Sequence, residues 1–550
     1  MRFVALLVFI LGIVASAAAQ QDSQLSSQVD RLTALVEQQQ RQIEQLQKSQ
    51  GDLLQEIRAQ RLQGASPPTA SASPVPAEAA TTSAEQVSTQ ASSYDAPKER
   101  GFALGDRVRI GGYGSVRYEA NDVKSGNNIP GGSANGFTFR RLVLTTDARP
   151  TSRLRIYSEL EFERLLEIET EKSSFRAPGE LTFKQTMEGN SGGAIELEQA
   201  WGQYDFAKNH GLRGGIMLVP VGRFNLLHDD DYWDIPRRTL TDRDGPVLPV
   251  KSAWRDLGAG FVGSWNVGKT GKLDYQIMAL NGASLDFNVE HELVTKAGSP
   301  GESELVLNSE LKLGSGFFDG SKSTSAFAWR AAYSPNLHGE FAFSGYRGTY
   351  NPTFLDFGES LTSFAYDHKW KYKNFETEGE LVYTSLGNLN RVINAFGVAA
   401  FNSANTTVPS SSTGGLTSAT VETELANMSR DRVGFWSDFK YHARPKWLKR
   451  SFLGRDFEDP QLIPIVRYER IWLNRLTDNI EVANGVVTGL TQENLQQDRF
   501  TAGISYRPAL QFAIQAAFEH NRKINGSRLI FPAVDQDSTN GLILGMSFAF

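Results

Sequence analysis

The residues best able to do chemistry are crowded into one charged segment, His228–Arg255, near the middle of the 550-residue chain. Its candidate acidic groups are Asp229, Asp230, Asp231 and Asp234, and its candidate basic groups are Arg237, Arg238 and Arg243. In a water-filled channel, facing acidic and basic side chains create a transverse field that orders water and slows apolar solutes. The segment is therefore either a loop that narrows such a channel or a solvated loop whose scattered ion pairs contribute little.

Other chemistries find little support in the sequence. The consecutive carboxylates Asp229–Asp231 could bind Ca²⁺, but they lack the spacing of an EF-hand loop. The seven histidines form no H-E-x-x-H pattern, there is no G-x-S-x-G motif, and the glycine clusters lack a P-loop lysine. The chain has no cysteine, which excludes disulfides, Cys-ligated zinc and a thiol nucleophile. We expect no enzyme activity, cofactor or metal, and the net charge of −6 gives no support for nucleic-acid binding.

The elements that must position these residues are β-strands, because apolar and polar residues alternate through residues 101–550. The C-terminal stretch Asn540–Phe550, NGLILGMSFAF, has large apolar residues on one strand face and mostly small residues on the other. The stretch RLRIYSELEFER that begins at Arg153 alternates even more regularly. The polar faces of the early strands supply the pore-lining candidates, which are Arg109, Arg117, Arg153, Arg155, Glu159 and Glu161.

Alternation alone does not separate a soluble β-sandwich from a membrane β-barrel whose apolar faces meet lipid. Three features favour the barrel. A single soluble sheet system covering residues 101–550 would be unusually large. Tight turns alternate with long loops such as Asn390–Thr420, and the charged rows on the polar faces would not be tolerated in a dry core. The sequence predicts an all-β fold, namely a transmembrane antiparallel β-barrel of about 16 strands, and no internal apolar run approaches the ~20 residues of a spanning helix.

Two arginine positions do not fit simple alternation. Arg140 and Arg141 are adjacent, so in a regular strand one of them would face lipid, which costs ~2–4 kcal/mol at mid-bilayer. We therefore expect this pair at a strand end or at a β-bulge. Near the C-terminus, Arg507 and Pro508 are predicted to mark the turn of a hairpin.

Three segments precede the predicted barrel domain, 101–550. Arg2, the apolar run Phe3–Val14 and the small residues Ala17–Ala19 predict a signal peptide over 1–19. Apolar residues at seven-residue spacing predict an α-helical coiled coil over 20–63, with a single amphipathic helix as the alternative. Residues 64–100 are rich in Ala, Ser, Thr and Pro and predict an extended linker.

This plan resembles the phosphate-selective porin O and P family of Gram-negative outer membranes. The resemblance is carried by FTFRRLVLTTDARPTSRLRIYSELEF and LRGGIMLVPVGRFNL, since the family has an FRR-type strand, then a strand rich in Tyr and acidic residues, then a G-x-x-x-x-P-[FV]-G-type stretch. The resemblance implies a trimeric porin with about 16 strands, one loop folded into the lumen, and a terminal Phe550 that the outer-membrane assembly machinery reads. It also implies anion selectivity through a basic ladder, with Arg109, Arg117, Arg153 and Arg155 as candidates.

The chain departs from a purely basic lining, because Glu159 and Glu161 lie on comparable faces. We therefore expect an outer-membrane porin that allows passive diffusion of small polar or charged solutes, with anions such as phosphate among them rather than as a specific cargo. Outer-membrane lipid would surround the barrel, and the coiled coil would lie in the periplasm. The alternative is a structural anchor that tethers the outer membrane to the cell wall, with the coiled coil contacting peptidoglycan.

Overall fold

The computed structural model describes residues 102–550 apart from 106, 124–134, 164–167, 178–179, 190–193, 243–246, 251–252, 296–302, 316–325, 352–356, 397, 399–417, 424–428, 484–485 and 533. The predicted signal peptide, coiled coil and linker, which cover residues 1–100, lie outside the described residues and stay predictions. Strands dominate the described residues, as the alternation of apolar and polar residues predicts.

The strands of the described residues are β1 Phe102–Leu104, β2 Val108–Asn121, β3 Asn135–Thr151, β4 Leu154–Glu163, β5 Ile168–Ala177, β6 Glu180–Gly189, β7 Ala194–Ala207, β8 His210–Leu218, β9 Arg255–Val267, β10 Gly271–Leu280, β11 Ala283–Thr295, β12 Ser303–Ser315, β13 Ala326–Asn336, β14 Gly339–Thr349, β15 Ser360–Tyr372, β16 Phe375–Leu386, β17 Ser418–Thr423, β18 Ser429–Tyr441, β19 Gln461–Ala483, β20 Val486–Ala509, β21 Phe512–Asn525 and β22 Ser538–Ala549. Two short helices, α1 Arg223–Leu226 and α2 Lys446–Arg450, lie in connections, and residues 389–396 are also helical. No helix of the described residues is long and apolar enough to cross a membrane.

Sixteen of these strands form a closed antiparallel barrel, which confirms the predicted fold. The order around the barrel is β2, β3, β4, β7, β8, β9, β10, β13, β14, β15, β16, β18, β19, β20, β21 and β22. The barrel closes where β22 pairs with β2, from Tyr113 opposite Ala549 to Asn121 opposite Gly541. Closure removes the free strand edges that an open sheet of this size would expose.

The C-terminal phenylalanine is fixed at this closing seam. The Phe550 amide donates to the Gly112 carbonyl (2.9 Å), and the Gly112 amide donates to the Phe550 carbonyl (3.1 Å). A Cβ at position 112 would overlap the backbone carbonyl oxygen of Val143 and lie 2.8 Å from the Phe550 ring, so a side chain here would collide with the neighbouring strand as well as with the aromatic ring.

The connections at the two ends of the barrel differ in length, as predicted. One end has tight turns, such as residues 152–153 between β3 and β4 and residues 373–374 between β15 and β16, and the C-terminus lies at this end. The other end has long connections, including residues 219–254 between β8 and β9 and residues 387–428 between β16 and β18. We call these the short-turn end and the long-connection end.

Additional strands enlarge the long-connection end. The β11–β12 hairpin pairs through β12 with β17 in parallel, and β17 pairs in turn with the outer part of β19. β5 and β6 form a separate two-stranded sheet. At the short-turn end, β1 pairs with the first residues of β2.

The barrel is apolar outside and polar inside. Along β22, Leu542, Leu544 and Met546 are exposed while Ile543 and Ser547 are buried. The exposed apolar positions on the outward faces of other strands include Leu144, Ile156, Leu197, Phe261, Ile277, Phe343, Phe364, Leu381, Phe439, Phe500, Ile504, Ile514 and Phe518. Charged side chains are buried inside, as Glu378 at 0%, Arg467 at 1% and Glu119 at 2% exposure illustrate. Hydrocarbon favours this arrangement and water does not.

The two adjacent arginines are accommodated by a β-bulge, as predicted. The register between β2 and β3 shifts at this point, because Ser115 pairs with Arg141 whereas Val116 pairs with Phe139. Arg140 is the extra residue, and both Arg140 and Arg141 are buried. The bulge therefore brings both guanidinium groups inside and keeps them away from lipid.

Candidate functional site

The long connection between β8 and β9, residues 219–254, lies inside the barrel in the part that the structure describes, which leaves out 243–246 and 251–252. Asp230 approaches Arg141 of β3 (3.6 Å), the Phe224 amide donates to Glu380 of β16 (2.8 Å), and Arg237 bonds Glu519 of β21 (3.0 Å). Inward-facing groups on such widely separated strands are reached by one segment only if it crosses the lumen. We call residues 219–254 the lumen loop.

A buried asparagine ties the two ends of the lumen loop together. The Asn225 side-chain amide donates to the carbonyls of Val219 (2.8 Å) and Trp254 (3.1 Å), and its oxygen accepts from the Trp254 amide (2.7 Å). Nearby, the Phe224 and Trp233 rings stack at 4.6 Å. These contacts fold the loop on itself before it meets the wall.

The acidic residues of the lumen loop reach different parts of the barrel wall. The Tyr113 hydroxyl donates to Asp229 (3.0 Å), and Ser115 donates to Asp230. Asp234 lies between two cations, with Arg507 Nε at 2.7 Å and Lys440 Nζ at 3.2 Å. The carboxylates named here bond separate wall residues instead of converging on one point.

Among the basic residues of the lumen loop, Arg237 bonds acidic residues of the barrel wall. Its guanidinium bonds Glu119 of β2 (2.7 Å) and Glu519 of β21 (3.0 Å), and all three side chains are at most 4% exposed. Arg238 pairs within the loop with Asp242 (3.3 Å) and donates to the His228 carbonyl. Arg243 lies outside the described residues.

Ion pairs of the wall also hold the loop backbone. Arg467 pairs with Asp438 (2.6 Å) and donates to the Arg237 carbonyl (3.0 Å). Arg499 pairs with Glu469 and donates to the carbonyl of Arg238. Glu469 also accepts a hydrogen bond from the Leu240 amide (2.8 Å). A guanidinium has several donors in a fixed plane, so one side chain can serve a wall carboxylate and a loop carbonyl together.

The electrostatics of the loop follow from these contacts. Burial alone would raise the pKa of Asp234, but Lys440 and then Arg507 outweigh burial and hold that pKa well below its usual range. Asp230 behaves in the same way, with its pKa depressed mainly by Arg141 against the effect of burial. Burial lowers the pKa of the His228 imidazole to about 4, and Arg238 adds to the effect, so this side chain is neutral at pH 7.

Beside the lumen loop, the barrel leaves an open cavity. The empty space is about 1130 Å³, part of it continuous with solvent, and the loop borders it through Leu226 to Asp229. The wall lining includes Arg109, Arg155, Arg213, Asp147, Glu159, Gln199 and Gln276, together with Tyr157 and Trp201. Acidic, basic and amide groups thus face the same water-accessible space.

A cation–aromatic stack stiffens one side of this cavity. Arg213 lies 4.0 Å and Arg155 5.2 Å from the centre of the Trp201 ring, and Tyr157 stacks on Trp201 at 5.4 Å. Arg155 is also held by Asp147 (3.0 Å), its neighbour on β3. The guanidinium groups are therefore fixed in place at the cavity wall.

The structure distributes the sequence-based pore candidates among three situations. Arg109, Arg155 and Glu159 line the cavity. Arg117 and Glu161 are inward and buried, but pair with Glu119 and Arg141 respectively. The prediction that Arg153 lines the pore is wrong. This residue is exposed in the turn, because β3 ends at Thr151 and β4 begins only at Leu154.

Several residues that hold the lumen loop were not singled out from the sequence. Lys440, Arg467, Arg499 and Glu519 all lie on the late strands β18–β21, where their inward position follows from alternation. The prediction that Arg507 marks a hairpin turn is also wrong, since Arg507 lies within β20 and the turn is at residues 510–511. The sequence signal was the even spacing of charged residues along these strands, but nothing in it identifies their partners.

Comparison with known proteins gives similarity of limited extent. No family model matches the chain, so the resemblance to the porin O and P family stays a prediction. An uncharacterised protein of Aquifex aeolicus (strain VF5) is 28% identical over 175 residues, which is 32% of this chain and 32% of that protein. The match thus spans about a third of the relative's length.

Solved structures similar to this chain include outer-membrane proteins. OmpF of Salmonella typhi in complex with daunomycin is 10% identical with a TM-score of 0.43, over 80% of this chain and 97% of that chain. An anion-selective porin from Comamonas acidovorans is 10% identical with a TM-score of 0.42, over 80% and 99%. The outer membrane channel DcaP of Acinetobacter baumannii is 12% identical with a TM-score of 0.40, over 82% and 100%. With TM-scores below 0.5, these likenesses assign no function to this chain.

Proposed function

We propose that this chain is an outer-membrane porin that lets small polar or charged solutes diffuse passively through a narrowed lumen. The observation that carries the proposal is the closed barrel with an apolar outer wall, buried charges inside, and a lumen loop beside a solvent-connected cavity. Such a barrel offers hydrocarbon its outer face and water its inner face. In this proposal the mature chain is in the outer membrane and residues 20–63 are in the periplasm.

The lumen loop would set the size limit of the channel. Its charged side chains are engaged with the wall, as Asp234 and Arg237 illustrate, so they fix the loop in place. Among the described residues, the polar groups that a passing solute would meet include those that line the cavity, such as Arg109, Arg155 and Glu159. The loop is thus the constriction by its position, and the cavity wall provides the charges that sort solutes.

We further propose that the channel distinguishes poorly between anions and cations. Two of the four candidates for the basic ladder have a carboxylate at close range, in the pairs Arg117–Glu119 and Arg155–Asp147, and the inward Arg141 pairs with Glu161 in the same way. A paired guanidinium attracts an anion less than an unpaired one does, because the carboxylate cancels much of its field. This supports general diffusion, with phosphate as one permeant among others.

Conductance of single molecules tests the function. The purified, folded protein in a planar bilayer should give stepwise, ohmic current, and its reversal potential in a KCl gradient should stay near zero because selectivity is weak. Verified folded protein that produces no current steps would refute the channel. A strongly anion-selective reversal potential would be consistent with the channel but would refute the proposal that paired carboxylates neutralise the basic residues.

We also propose an oligomeric state for the barrel. A trimer is expected from the family resemblance, and crosslinking in membranes followed by mass determination tests it.

The alternative function, a tether to the cell wall, is favoured by the heptad spacing of residues 20–63. If tethering is the main role, deletion of residues 20–100 would loosen the envelope, and the barrel would not need to conduct.

A further inference from the structure

One connection at the short-turn end is unlike its neighbours. Residues 442–460 join β18 to β19 and contain helix α2, Lys446–Arg450, whereas residues 152–153, 373–374 and 510–511 at the same end are tight turns. The channel proposed above does not require this segment, because none of its residues lines the cavity.

The first residue of the segment, His442, faces inward and bonds Glu376 (3.2 Å), but the part around Leu453 lies against the outside of the barrel. Ser505 and Arg507 of β20 are buried inside, so Tyr506 between them faces outward with Ile504. The Tyr506 hydroxyl donates to the Leu453 carbonyl, which fixes this part of the segment against the outer wall. At its start the segment continues directly from Phe439 and Tyr441, both exposed on the outward face of β18.

The segment is an ordered structure. Leu448 is only 1% exposed, and the Ser451 hydroxyl donates to the Leu448 carbonyl (2.7 Å). Ala443 pairs with Leu462 of β19, and Arg444 bonds Asp459 (2.7 Å), which closes the segment at its base. The side chains it exposes are therefore presented by a fixed backbone.

The exposed side chains include aromatic and basic groups, together with the acidic Asp456, Glu458 and Asp459. Asp456 pairs with Arg455 and Asp459 pairs with Arg444. Phe452 is 78% exposed and Trp447 is 59% exposed, with Leu453 and Phe457 also on the surface. Lys446, Lys449 and Arg450 are exposed on α2, and neither Lys446 nor Arg450 has an ion pair among the described residues. Water disfavours large apolar side chains at this exposure, and unpaired cations beside them favour an anionic partner.

We propose that residues 442–460 bind the anionic phospholipid surface at the short-turn end of the barrel. Trp447, Phe452 and Phe457 would enter the boundary between headgroups and acyl chains, and Lys446 and Arg450 would contact lipid phosphates. Continuity with the apolar outer wall favours lipid over a soluble partner. The inference rests on the membrane location proposed above, which the experiment tests separately.

The absence of cysteine makes a site-specific probe straightforward. Phe452→Cys in the full-length protein is labelled with an environment-sensitive fluorophore and reconstituted in phosphatidylcholine vesicles with or without phosphatidylglycerol. Two reference sites are labelled in the same way: Phe518→Cys on the outer wall and Lys269→Cys in the exposed turn between β9 and β10. Brominated lipids and aqueous iodide then serve as quenchers.

The inference requires the label at position 452 to be quenched by brominated lipid and shielded from iodide. If it is as accessible to iodide as the label at 269 while the label at 518 is in lipid, the inference is overturned and the membrane barrel stands. If the labels at 452 and 518 are both in water, the membrane location itself fails. Spin labels at 452 that broaden one another, without lipid contact, would identify a surface between subunits and overturn the inference.

The charges are tested by a double variant, Lys446→Glu with Arg450→Glu. Basic residues near an anionic surface each enrich anionic lipid by about fivefold, so brominated phosphatidylglycerol should quench the label at 452 more than brominated phosphatidylcholine does. The double variant should abolish this preference. The matched double variant Lys208→Glu with Lys269→Glu, in the turns after β7 and β9, should retain it, and equal quenching by both lipids in the unmodified protein would refute the headgroup contact.

Discussion

The contact that most sharply tests the docked lumen loop is the one made by Arg237. This guanidinium lies between Glu119 and Glu519, 2.7 and 3.0 Å away, with all three side chains almost fully buried. Removal of one partner from a buried ion pair costs about 3–5 kcal/mol, because a charge is left without compensation. Glu119 keeps Arg117, whereas Glu519 has no second ion pair among the described residues, so we expect about 3 kcal/mol for Arg237→Met.

This free energy predicts a measurable opening of the loop. Ile235 is 2% exposed against Ile465 and Ala517, so a cysteine at position 235 reacts only when the loop leaves the wall. A change of about 3 kcal/mol raises the open fraction by about 100-fold, and the rate of maleimide labelling should rise in proportion. The rate is measured for Ile235→Cys with and without Arg237→Met, after heat-modifiable electrophoresis has confirmed an intact barrel.

Matched variants separate this effect from a general loss of stability. Arg391→Met removes an arginine that pairs with Glu359 but is 59% exposed, and it should leave the labelling rate unchanged. Adding Glu519→Gln to Arg237→Met should return the labelling rate of the cysteine at position 235 most of the way to its original low value, because a neutral amide at position 519 does not need a cation beside it. If Arg237→Met changes the labelling rate by less than about threefold with the barrel intact, the loop is not held by this contact and the buried-charge reasoning is wrong.

Three further predictions concern permeation and the docking of the lumen loop. Arg155→Ala should move the reversal potential toward cations because Asp147 loses its partner, whereas Arg153→Ala, in the exposed turn, should not. Asp234 has a depressed pKa in the folded state, so its stabilisation of the docked loop is complete above its ordinary pKa of 3.8 and is lost only as pH falls below that value. Because maleimide reacts with the thiolate, whose fraction falls with pH, the labelling rate at position 235 is divided by the rate at the exposed Lys269→Cys at the same pH. This ratio should be the same at pH 7 and pH 5 and rise in stronger acid. Deletion of residues 20–100 should leave the unit conductance unchanged, and a loss of conductance in correctly folded protein would give the N-terminal region a role in the channel.

The sequence was sufficient to predict the barrel because strand alternation is a local property. Arg155, Glu159 and Leu542 follow the predicted faces, and the strand number and turn pattern follow from the same spacing. Turn positions were less predictable: Arg507 precedes a proline and reads as a turn residue, yet its side chain is needed inside to bond Asp234. Tertiary contact decided the local structure there.

The arrangement of the site could not be obtained in this way, since it depends on pairs of residues far apart in sequence. Arg237 meets Glu119 and Glu519 only because β21 and β2 flank the closing strand β22, and no local pattern reports which carboxylate faces which arginine. The charged segment was recognisable from its composition. Its docking against the wall, which uses up most of the charges first considered for a transverse field, required the three-dimensional structure.

Two of the bulges in the early strands show how the fold reconciles an apolar exterior with an excess of inward charge. Alternation gives one inward residue for each outward one, so an additional inward charge needs an additional residue in the strand. Arg140 is such a residue in β3, and Glu198 is another in β7, where Glu159 pairs with Gln199 but Leu160 pairs with Leu197. Glu198 meets His228 of the lumen loop (3.2 Å), and Arg140 lies beside Glu163. Because both bulges flank β4, the wall gains charged groups where the loop meets it, while Leu197 and Leu144 remain on the lipid side.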